Sequence, residues 1–444
     1  MKNFKNKKFL IGSLCFVLLS ILIISSVQGI IAESENKDSS DLSNYNNNNL
    51  SNVFDNMNEI RAIPVDSKIS GIPKPVADAK SAILISADSG DIIYELNPHQ
   101  RLPMASTTKI MTAIVAIESG VPLDKIIKIT KQMTGAEGTS IYLYENERFT
   151  LLDLIYALLL NSANDAAEAI AIGVAGSIEK FAVMMNEKVR ELNLKDTNFT
   201  NPHGLDNDMH YTSAYDLAKI AAYSLENETF YKIASEQTRI IYPKNEDGTD
   251  SKAGARYLRN HNKMLRLYKD AIGVKTGFTK RSGRCLVSAA ERNGTRLVAV
   301  TLSASNDWND HIEMLNYGFA NYHSVDLCKE KEYTFNVNIV NGFKVVNGVK
   351  EYVSIIKCEN TSAESASLPI SINQRDIKYT AELPQFIYAP VKKGDIVGRM
   401  VFKHKDYIIG YSVIVSCEDV EIGPIKKPNL IFSLIDKIRE FFTK

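Results

Sequence analysis

Three short motifs in this chain carry hydroxyl, amine and amide side chains at spacings that suit nucleophilic catalysis. In chain order they are Ser106–Lys109 (Ser-Thr-Thr-Lys), Ser162–Asn164 (Ser-Ala-Asn) and Lys275–Gly277 (Lys-Thr-Gly). A serine hydroxyl becomes a good nucleophile only when a nearby base takes its proton, and a lysine with a lowered pKa can be that base. The motifs therefore predict an activated serine with proton-relay and anion-binding groups around it.

Helical spacing brings the serine and the lysine of the first motif together. Pro103 precedes a run with apolar residues at helical intervals, which predicts a helix over Ser106–Glu118. Residues i and i+3 of a helix lie on one face, so the amine of Lys109 can reach the hydroxyl of Ser106. Burial and a second cation nearby lower the pKa of a lysine, and Lys275 can supply that cation. We expect Ser106 to be the nucleophile and Lys109 its base.

The other two motifs can serve a substrate, although each also has an ordinary structural interpretation. Ser162 and Asn164 lie in a polar loop between two apolar helices, where the hydroxyl can relay a proton and the amide can hold a carbonyl. Both residue types are also common helix caps. Lys275–Gly277 follow the strand residues Ile272–Val274. A cation, a hydroxyl and a glycine at a strand end suit an anionic substrate, but a plain strand-to-turn transition has the same pattern.

The elements that must position these motifs alternate between strands and helices. Asp88–Asp91 separates two apolar segments as a hairpin turn does, and Asn293-Gly294 is a type I′ turn signal. Gly173 and Gly176 are expected to break the longest helical block. The predicted elements before residue 325 are a hairpin over Ser81–Leu96, helices over Ser106–Glu118, Thr150–Leu160 and Asp165–Leu192, and strands over Ala271–Val274, Leu286–Ala290 and Leu297–Leu302.

This order predicts an α/β (α+β) domain, because strands come from both ends of the block and a helical lobe is inserted between them. After residue 325 short strands replace helices, and Gly342, Gly348 and Gly394 are expected to separate them. The predicted strands of this small all-β domain are Tyr333–Val340, Phe343–Val346, Tyr352–Ile356, Ile377–Glu382, Ile396–Phe402 and Tyr407–Val415.

Composition divides the chain into five predicted segments. A basic start followed by an apolar run from Phe9 to Ile24 predicts a signal peptide over 1–32, and an uncleaved anchor is the alternative. The protein is therefore expected to be exported and extracytoplasmic, either secreted or on the outer face of the cytoplasmic membrane. The further segments are a flexible leader over 33–58, rich in Ser, Asn and Asp, a main domain over 59–324, the β domain over 325–423 and an amphipathic helix over 424–444.

The C-terminal segment repeats apolar residues at helical spacing from Leu430 to Phe442. It is too short to span a bilayer but suits a helix lying in the membrane surface, and packing on the β domain or on a partner chain is the alternative. The whole chain of 444 residues has 52 basic and 52 acidic side chains, so it lacks the basic surplus typical of nucleic-acid binding. The seven histidines are scattered, and neither a metal nor a cofactor is expected.

The three motifs in this order and context resemble those of the penicillin-recognising serine enzymes. Within them the chain is most similar to the low-molecular-mass penicillin-binding proteins that are D-alanyl-D-alanine carboxypeptidases. The resemblance covers roughly residues 60–320. The stretches that carry it are Pro103–Thr112, Asn161–Ala166, Asn201–Leu205, His210–Asp216, Gly273–Thr279 and Ser282–Ser288.

The resemblance implies a role for each motif residue. Ser106 would form an acyl-enzyme with Lys109 as its general base, and Ser162 would pass a proton to the leaving D-alanine. The backbone N–H groups of Ser106 and Phe278 would form the oxyanion hole. The implied partners are peptidoglycan stem peptides ending in D-Ala-D-Ala, β-lactams as inhibitors and, through 424–444, the membrane surface, without nucleic acid. The implied substrate-binding residues are Asn164, Lys275, Thr276, Gly277, Phe278 and Thr279.

Two departures from the family pattern and several alternatives accompany this interpretation. Some relatives carry an arginine for the substrate carboxylate in the segment where this chain has Asp307–Asp310, and some have a polar residue in place of Phe278. A β-lactamase is disfavoured because Val189 stands where its water-activating glutamate would be. A D,D-transpeptidase or endopeptidase of the same fold stays open. A non-catalytic peptidoglycan-binding protein would be expected to have lost Ser106 or Lys109.

Overall fold

The computed structural model describes residues 60–65 and 71–423. The predicted signal peptide (1–32), leader (33–58) and amphipathic helix (424–444) lie outside the described residues. Within these residues no helix has the length and apolar character needed to cross a membrane. The helices, in chain order, are α1 (Lys109–Glu118), α2 (Leu151–Leu160), α3 (Asn164–Ala175), α4 (Ile178–Glu191), α5 (Ala214–Glu226), α6 (Glu228–Ser235), α7 (Met264–Leu267) and α8 (Asp307–Asn321).

The strands occur in both parts of the chain, and those after α8 form the second part. In chain order they are β1 (Ala79–Ser86), β2 (Ile92–Leu96), β3 (Ile126–Lys128), β4 (Arg148–Thr150), β5 (Thr238–Ile241), β6 (Arg256–Arg259), β7 (Ala271–Thr279), β8 (Gly283–Arg292), β9 (Thr295–Ala304), β10 (Tyr322–Cys328), β11 (Thr334–Val346), β12 (Val349–Asn360), β13 (Glu364–Pro369), β14 (Lys378–Glu382), β15 (Phe386–Tyr388), β16 (Ile396–His404), β17 (Tyr407–Ser416) and β18 (Glu421–Ile422).

Strands that are distant in the sequence meet in one five-stranded sheet. Its order is β2-β1-β9-β8-β7, and all neighbouring pairs are antiparallel. The predicted type I′ turn joins β8 to β9, and Asn293 and Gly294 have the positive φ angles, 51° and 77°, that this turn requires. Among the described strands β7 pairs only with β8, so its other edge has no neighbouring strand.

Helices α1 to α6 lie between β2 and β7 in the sequence and share one hydrophobic core with the sheet. Thr150 caps α2 as predicted, because its side chain accepts a hydrogen bond from the backbone N–H of Asp153. The predicted helix break is present at Gly176, which ends α3 with a φ of 85°. The predicted break at Gly173 is wrong. Gly173 lies inside α3, where a Cβ would come within 2.6 Å of Ile127, so this glycine allows close packing instead.

The second part of the chain is built from strands, as predicted. Its main sheet has the order β14-β16-β17-β12-β11-β15, with β18 paired to β11, and β10 pairs separately with β13. The predicted separation at Gly342 is wrong, because β11 continues through an irregularity at this position, where a Cβ would meet the carbonyl oxygen of Val353 at 2.6 Å. Gly348 does separate two strands, because it lies in the turn between β11 and β12 with a φ of 78°. The sequence did not predict strands β10 and β13, because their pairing is not local.

These sheets and helices confirm the predicted mixed α and β fold class. The domain boundaries at 59, 324 and 423 stay predictions. A buried hydrogen bond joins the two parts of the chain: the carboxylate of Asp91 accepts it from the backbone N–H of Ser367 at 2.6 Å. The four cysteines of the described residues are free thiols, namely Cys285, Cys328, Cys358 and Cys417.

Candidate active site

Ser106 lies in a 3₁₀ turn, Ala105–Thr108, that leads directly into α1. Its side chain is half-buried, whereas its neighbours Ala105 and Thr107 are buried. The backbone of Ala105 is left-handed, with a φ of 48°, which is an unfavourable conformation for a residue with a Cβ. The turn therefore needs support from its surroundings to hold the serine in this orientation.

Two neighbouring segments hold this turn. The hydroxyl of Thr108 donates to the carbonyl oxygen of Ala105 at 2.8 Å, and Nε2 of His210 lies 2.8 Å from the same hydroxyl. Nδ1 of His210 accepts a hydrogen bond from the backbone N–H of Thr200 at 3.0 Å, so Nε2 carries the proton and donates to Thr108. Gly204 packs on the other side, where a Cβ would lie 1.9 Å from the Ala105 carbonyl oxygen.

Lys109 is completely buried beneath Ser106. Its Nζ lies 2.9 Å from Oγ of Ser106 and donates to Oδ1 of Asn164 at 2.7 Å and to the carbonyl oxygen of His203 at 2.6 Å. Burial, followed by the charge of Lys275, lowers the pKa of Lys109 well below its usual range. Lys109 is thus positioned and prepared to accept a proton from the serine.

Ser162 and Asn164 are both buried and face this lysine pair. Asn164 is the first residue of α3, and its amide nitrogen donates to the carbonyl oxygen of Glu137 at 2.5 Å. Ser162 has a left-handed backbone, with a φ of 59°, and its hydroxyl accepts a hydrogen bond from Nζ of Lys275 at 3.0 Å. The N-cap of α3 is Ala163, without a capping side chain, so helix capping does not account for either residue.

Lys275 enters the site from the edge strand β7. Besides Ser162, its Nζ contacts the carbonyl oxygen of Thr276 at 2.9 Å. Burial lowers the pKa of Lys275 to about 7. Two ammonium groups in one buried site repel each other, so the arrangement favours a neutral Lys109 beside a charged Lys275.

Gly277 lets β7 approach the nucleophile. A Cβ on this glycine would lie 3.0 Å from both the carbonyl oxygen of Met104 and the backbone nitrogen of Ser106. Phe278 follows with an exposed side chain. The hydroxyl of Thr279 donates to Asp206 at 3.0 Å, so a substrate carboxylate would have to compete with that partner.

Arg284 is a cation beside the third motif that the sequence analysis did not single out. It pairs in register with Phe278 across β7 and β8, and its side chain is a diagonal neighbour of Thr276 on the same face. Its guanidinium contacts the carboxylate of Asp307 at 2.5 Å while the side chain stays partly exposed. The sequence signal for Arg284 was its place in the Ser282–Ser288 stretch. Only the strand register shows that it lies beside the Lys275–Gly277 motif.

The structure therefore brings five motif side chains into one site: Ser106, Lys109, Ser162, Asn164 and Lys275. Acyl transfer through a covalent intermediate requires such a set of groups: a nucleophile with an adjacent buried base, a second hydroxyl and a cation.

Comparisons with known proteins agree with this chemistry. A family model described as D-alanyl-D-alanine carboxypeptidase matches residues 69–306. The chain belongs to this family. The D-alanyl-D-alanine carboxypeptidase DacF of Bacillus subtilis is 32% identical over 360 residues, which are 78% of this chain and 86% of that protein. DacC of Escherichia coli is 30% identical over 79% of this chain and 86% of its own length.

Solved structures of related proteins have the same fold. Penicillin binding protein 5 from Haemophilus influenzae superimposes with a TM-score of 0.65 and 27% identity, covering 79% of this chain and all (100%) of that one. The Streptomyces K15 DD-transpeptidase gives a TM-score of 0.53 and 29% identity, covering 56% of this chain and 100% of its own. The family resemblance predicted from the three motifs is thereby confirmed.

Proposed function

We propose that this protein removes the terminal D-alanine from peptidoglycan stem peptides ending in D-Ala-D-Ala, through an acyl-enzyme on Ser106. The observation that carries the proposal is the 2.9 Å contact between Nζ of Lys109 and Oγ of Ser106. It matters because burial and the charge of Lys275 lower the pKa of Lys109 well below its usual range, which favours the neutral amine that a base requires.

In the acylation step Lys109 takes the hydroxyl proton of Ser106 while Oγ bonds to the carbonyl carbon of the penultimate residue. The backbone N–H groups of Ser106 and Phe278 would hold the negative oxygen of the tetrahedral intermediate, next to Gly277. The C–N bond then breaks, and the leaving amine of D-alanine receives the proton from Lys109 through the hydroxyl of Ser162. Lys275 orients that hydroxyl through its 3.0 Å hydrogen bond.

In the deacylation step a water molecule attacks the ester carbonyl. Lys109, neutral again, takes the proton of the water, the ester C–O bond breaks, and the proton returns to Oγ of Ser106. The enzyme is regenerated and the shortened peptide leaves with a new carboxylate. β-Lactams would acylate Ser106 in the same way.

The free edge of β7 suits an extended peptide, which can add to it as a further strand. The charge of Lys275 and the hydroxyl of Thr276 would then attract the terminal carboxylate. Arg284, beside Thr276 on the same face, is a second candidate for this task, and Arg284→Gln is expected to raise KM with little change in kcat. An unchanged KM would remove Arg284 from the carboxylate site.

The function is tested by D-alanine release from a peptide ending in D-Ala-D-Ala, with and without an added amine acceptor. We expect release from the wild type in both conditions and none from Ser106→Ala. Ser177→Ala is the matched control, because Ser177 also precedes a lysine by three residues but caps α4. Release only with the acceptor would indicate a transpeptidase, and penicillin labelling without release would indicate a non-catalytic binding protein.

An extracytoplasmic location follows from the substrate, because peptidoglycan lies outside the cytoplasm. We further infer that the segment 424–444 holds the enzyme at the membrane surface through its apolar face. Its sequence supports this, with apolar residues at helical spacing from Leu430 to Phe442 and with Lys426 and Lys427 just before them.

A further inference from the structure

A second cleft lies far along the chain from the motif residues. Its volume is about 1180 Å³, and it is bounded by the C-terminal end of α8, the end of β13 and the strands β14, β16 and β17. None of the residues that line it belongs to the site around Ser106. The volume exceeds that of most sites for small molecules, which measure roughly 300–1000 Å³.

The cleft is cationic although the whole chain has no net charge. Four basic side chains line it, against the single acidic side chain of Asp376. None of the four forms an ion pair or a side-chain hydrogen bond with another residue in the described part of the chain. The four basic residues are Arg375, Lys378, Lys403 and Lys405.

Two of these cations face each other directly. Lys378 on β14 is the register partner of Lys403 on β16, so their side chains project from the same face of the sheet as nearest cross-strand neighbours. Like charges directly opposite each other destabilise a sheet. An anion bound between them would remove that repulsion, and so the pairing itself points to an anionic ligand.

Other lining residues add an unused polar atom and an apolar surface. Nδ1 of His404 is buried and has no hydrogen-bond partner among the described residues. Ile370 and Tyr407 are 59% and 49% exposed, and Tyr407 is the register partner of His404. The cleft thus combines several cations with exposed apolar surface, which suits a ligand with repeated charges and uncharged spacers.

We propose that this cleft binds a linear polyanion of the cell wall whose charges are phosphodiesters. Lysine ammonium groups and the planar fork of Arg375 both bind phosphate oxygens well. A chain segment can enter the recess and contact the partly buried Lys403, whereas a flat anionic membrane would meet only the exposed Arg375, Lys378 and Lys405. The bound polymer would hold the enzyme in the wall near its peptide substrate, and this role does not depend on the chemistry at Ser106.

The test measures binding of the full chain to fluorescent inorganic polyphosphate and to an oligomer of glycerol phosphate. The cleft variant is Lys378→Gln with Lys403→Gln. The matched control is Lys392→Gln with Lys393→Gln, which changes the charge equally at exposed lysines of the same part of the chain outside the cleft. We expect at least a tenfold loss of affinity in the cleft variant and less than a twofold loss in the control.

Four further readouts keep the outcomes distinct. The cleft variant should keep its penicillin labelling and melt no lower than the wild type, because the substitution relieves repulsion. Equal losses in the two variants would overturn the proposal in favour of unspecific charge attraction. Equally tight binding of polyglutamate would overturn the preference for phosphodiesters. Loss of binding to phosphatidylglycerol vesicles, with binding of the polymer unchanged, would assign the cleft to the membrane.

Discussion

At the scale of single residues, the site depends on two lysines that share one buried space. Lys109 contacts the nucleophile, and Lys275 contacts the hydroxyl of Ser162. Their different surroundings divide the work, because Lys109 must be neutral to accept a proton whereas Lys275 is useful as a cation. The lowered pKa of both groups follows mainly from burial. The same desolvation therefore favours the neutral form of Lys109 and lowers the pKa of Lys275 to about 7.

The substitution Lys109→Arg distinguishes the role of Lys109 as a base from its role as a hydrogen-bond donor. Arginine keeps a positive donor beside Ser106 but cannot lose its proton near neutral pH, so acylation by a fluorescent penicillin should slow by about 10²–10⁴-fold. Lys180→Arg, at the exposed lysine that follows Ser177, is the control and should label at the wild-type rate. A variant at Lys109 that labels normally would show that another group is the base.

The pH profile of acylation should report both lysines. The rate is expected to rise with pH as Lys109 loses its proton, and to fall again above about pH 7 as Lys275 loses the charge that attracts the substrate carboxylate. Lys275→Arg keeps that charge at higher pH, so it should abolish the falling limb. If the falling limb persists in this variant, a group other than Lys275 produces it.

The sequence predicted the contact between Ser106 and Lys109 because two residues that are three positions apart in a helical turn lie on the same face. It did not predict that Asn164 and the carbonyl of His203 would bond Lys109, since 55 and 94 residues separate these partners from it. Arg284 was missed for a related reason: its position beside Phe278 depends on the register of two strands.

At the scale of elements, the 3₁₀ turn of Ser106 is held by segments from elsewhere in the chain. The hydroxyl of Thr108 links the strained Ala105 to the buried His210. Burial, with a smaller effect of Lys109, lowers the pKa of His210 to about 4, so the ring is neutral and can both accept from Thr200 and donate to Thr108. His210 and Thr108 are therefore positioning residues for the nucleophile.

Thr108→Val tests this link because it keeps the shape and removes the hydroxyl. It leaves the N–H of His210 and the carbonyl of Ala105 without their partner, which should cost about 1–3 kcal/mol in the free energy of unfolding and slow acylation. Thr108→Ser retains the hydroxyl and should restore the acylation rate. Acylation that is equally slow in both variants would mean that packing of the methyl group, and not the hydroxyl, supports the turn.

The sequence predicted elements correctly where the signal spans only a few residues. The cap at Thr150 and the turn at Asn293-Gly294 act within a few residues, and both are present. The breaks predicted at Gly173 and Gly342 fail because each glycine allows close packing against another element rather than a change of direction. A single sequence gives no signal for that use of glycine.

At the scale of the whole molecule, the chain joins a catalytic site to a strand-rich part, and the predicted amphipathic segment 424–444 lies beyond the described residues. Removal of residues 424–444 should release the exported enzyme from the membrane fraction, because the predicted apolar helix face is lost. Penicillin labelling should be unchanged, since no residue of the site around Ser106 lies in this segment. Retention of the shortened enzyme in the membrane fraction would contradict the anchoring role.

The most direct test of the catalytic account is to map the covalent intermediate. The purified enzyme is acylated with a penicillin, digested and analysed by mass spectrometry, beside parallel measurement of D-alanine release. We predict one adduct, on the peptide that contains Ser106, and loss of both the adduct and D-alanine release in Ser106→Ala. An adduct on another serine, or D-alanine release that survives in the variant, would contradict the assignment of Ser106 as the nucleophile.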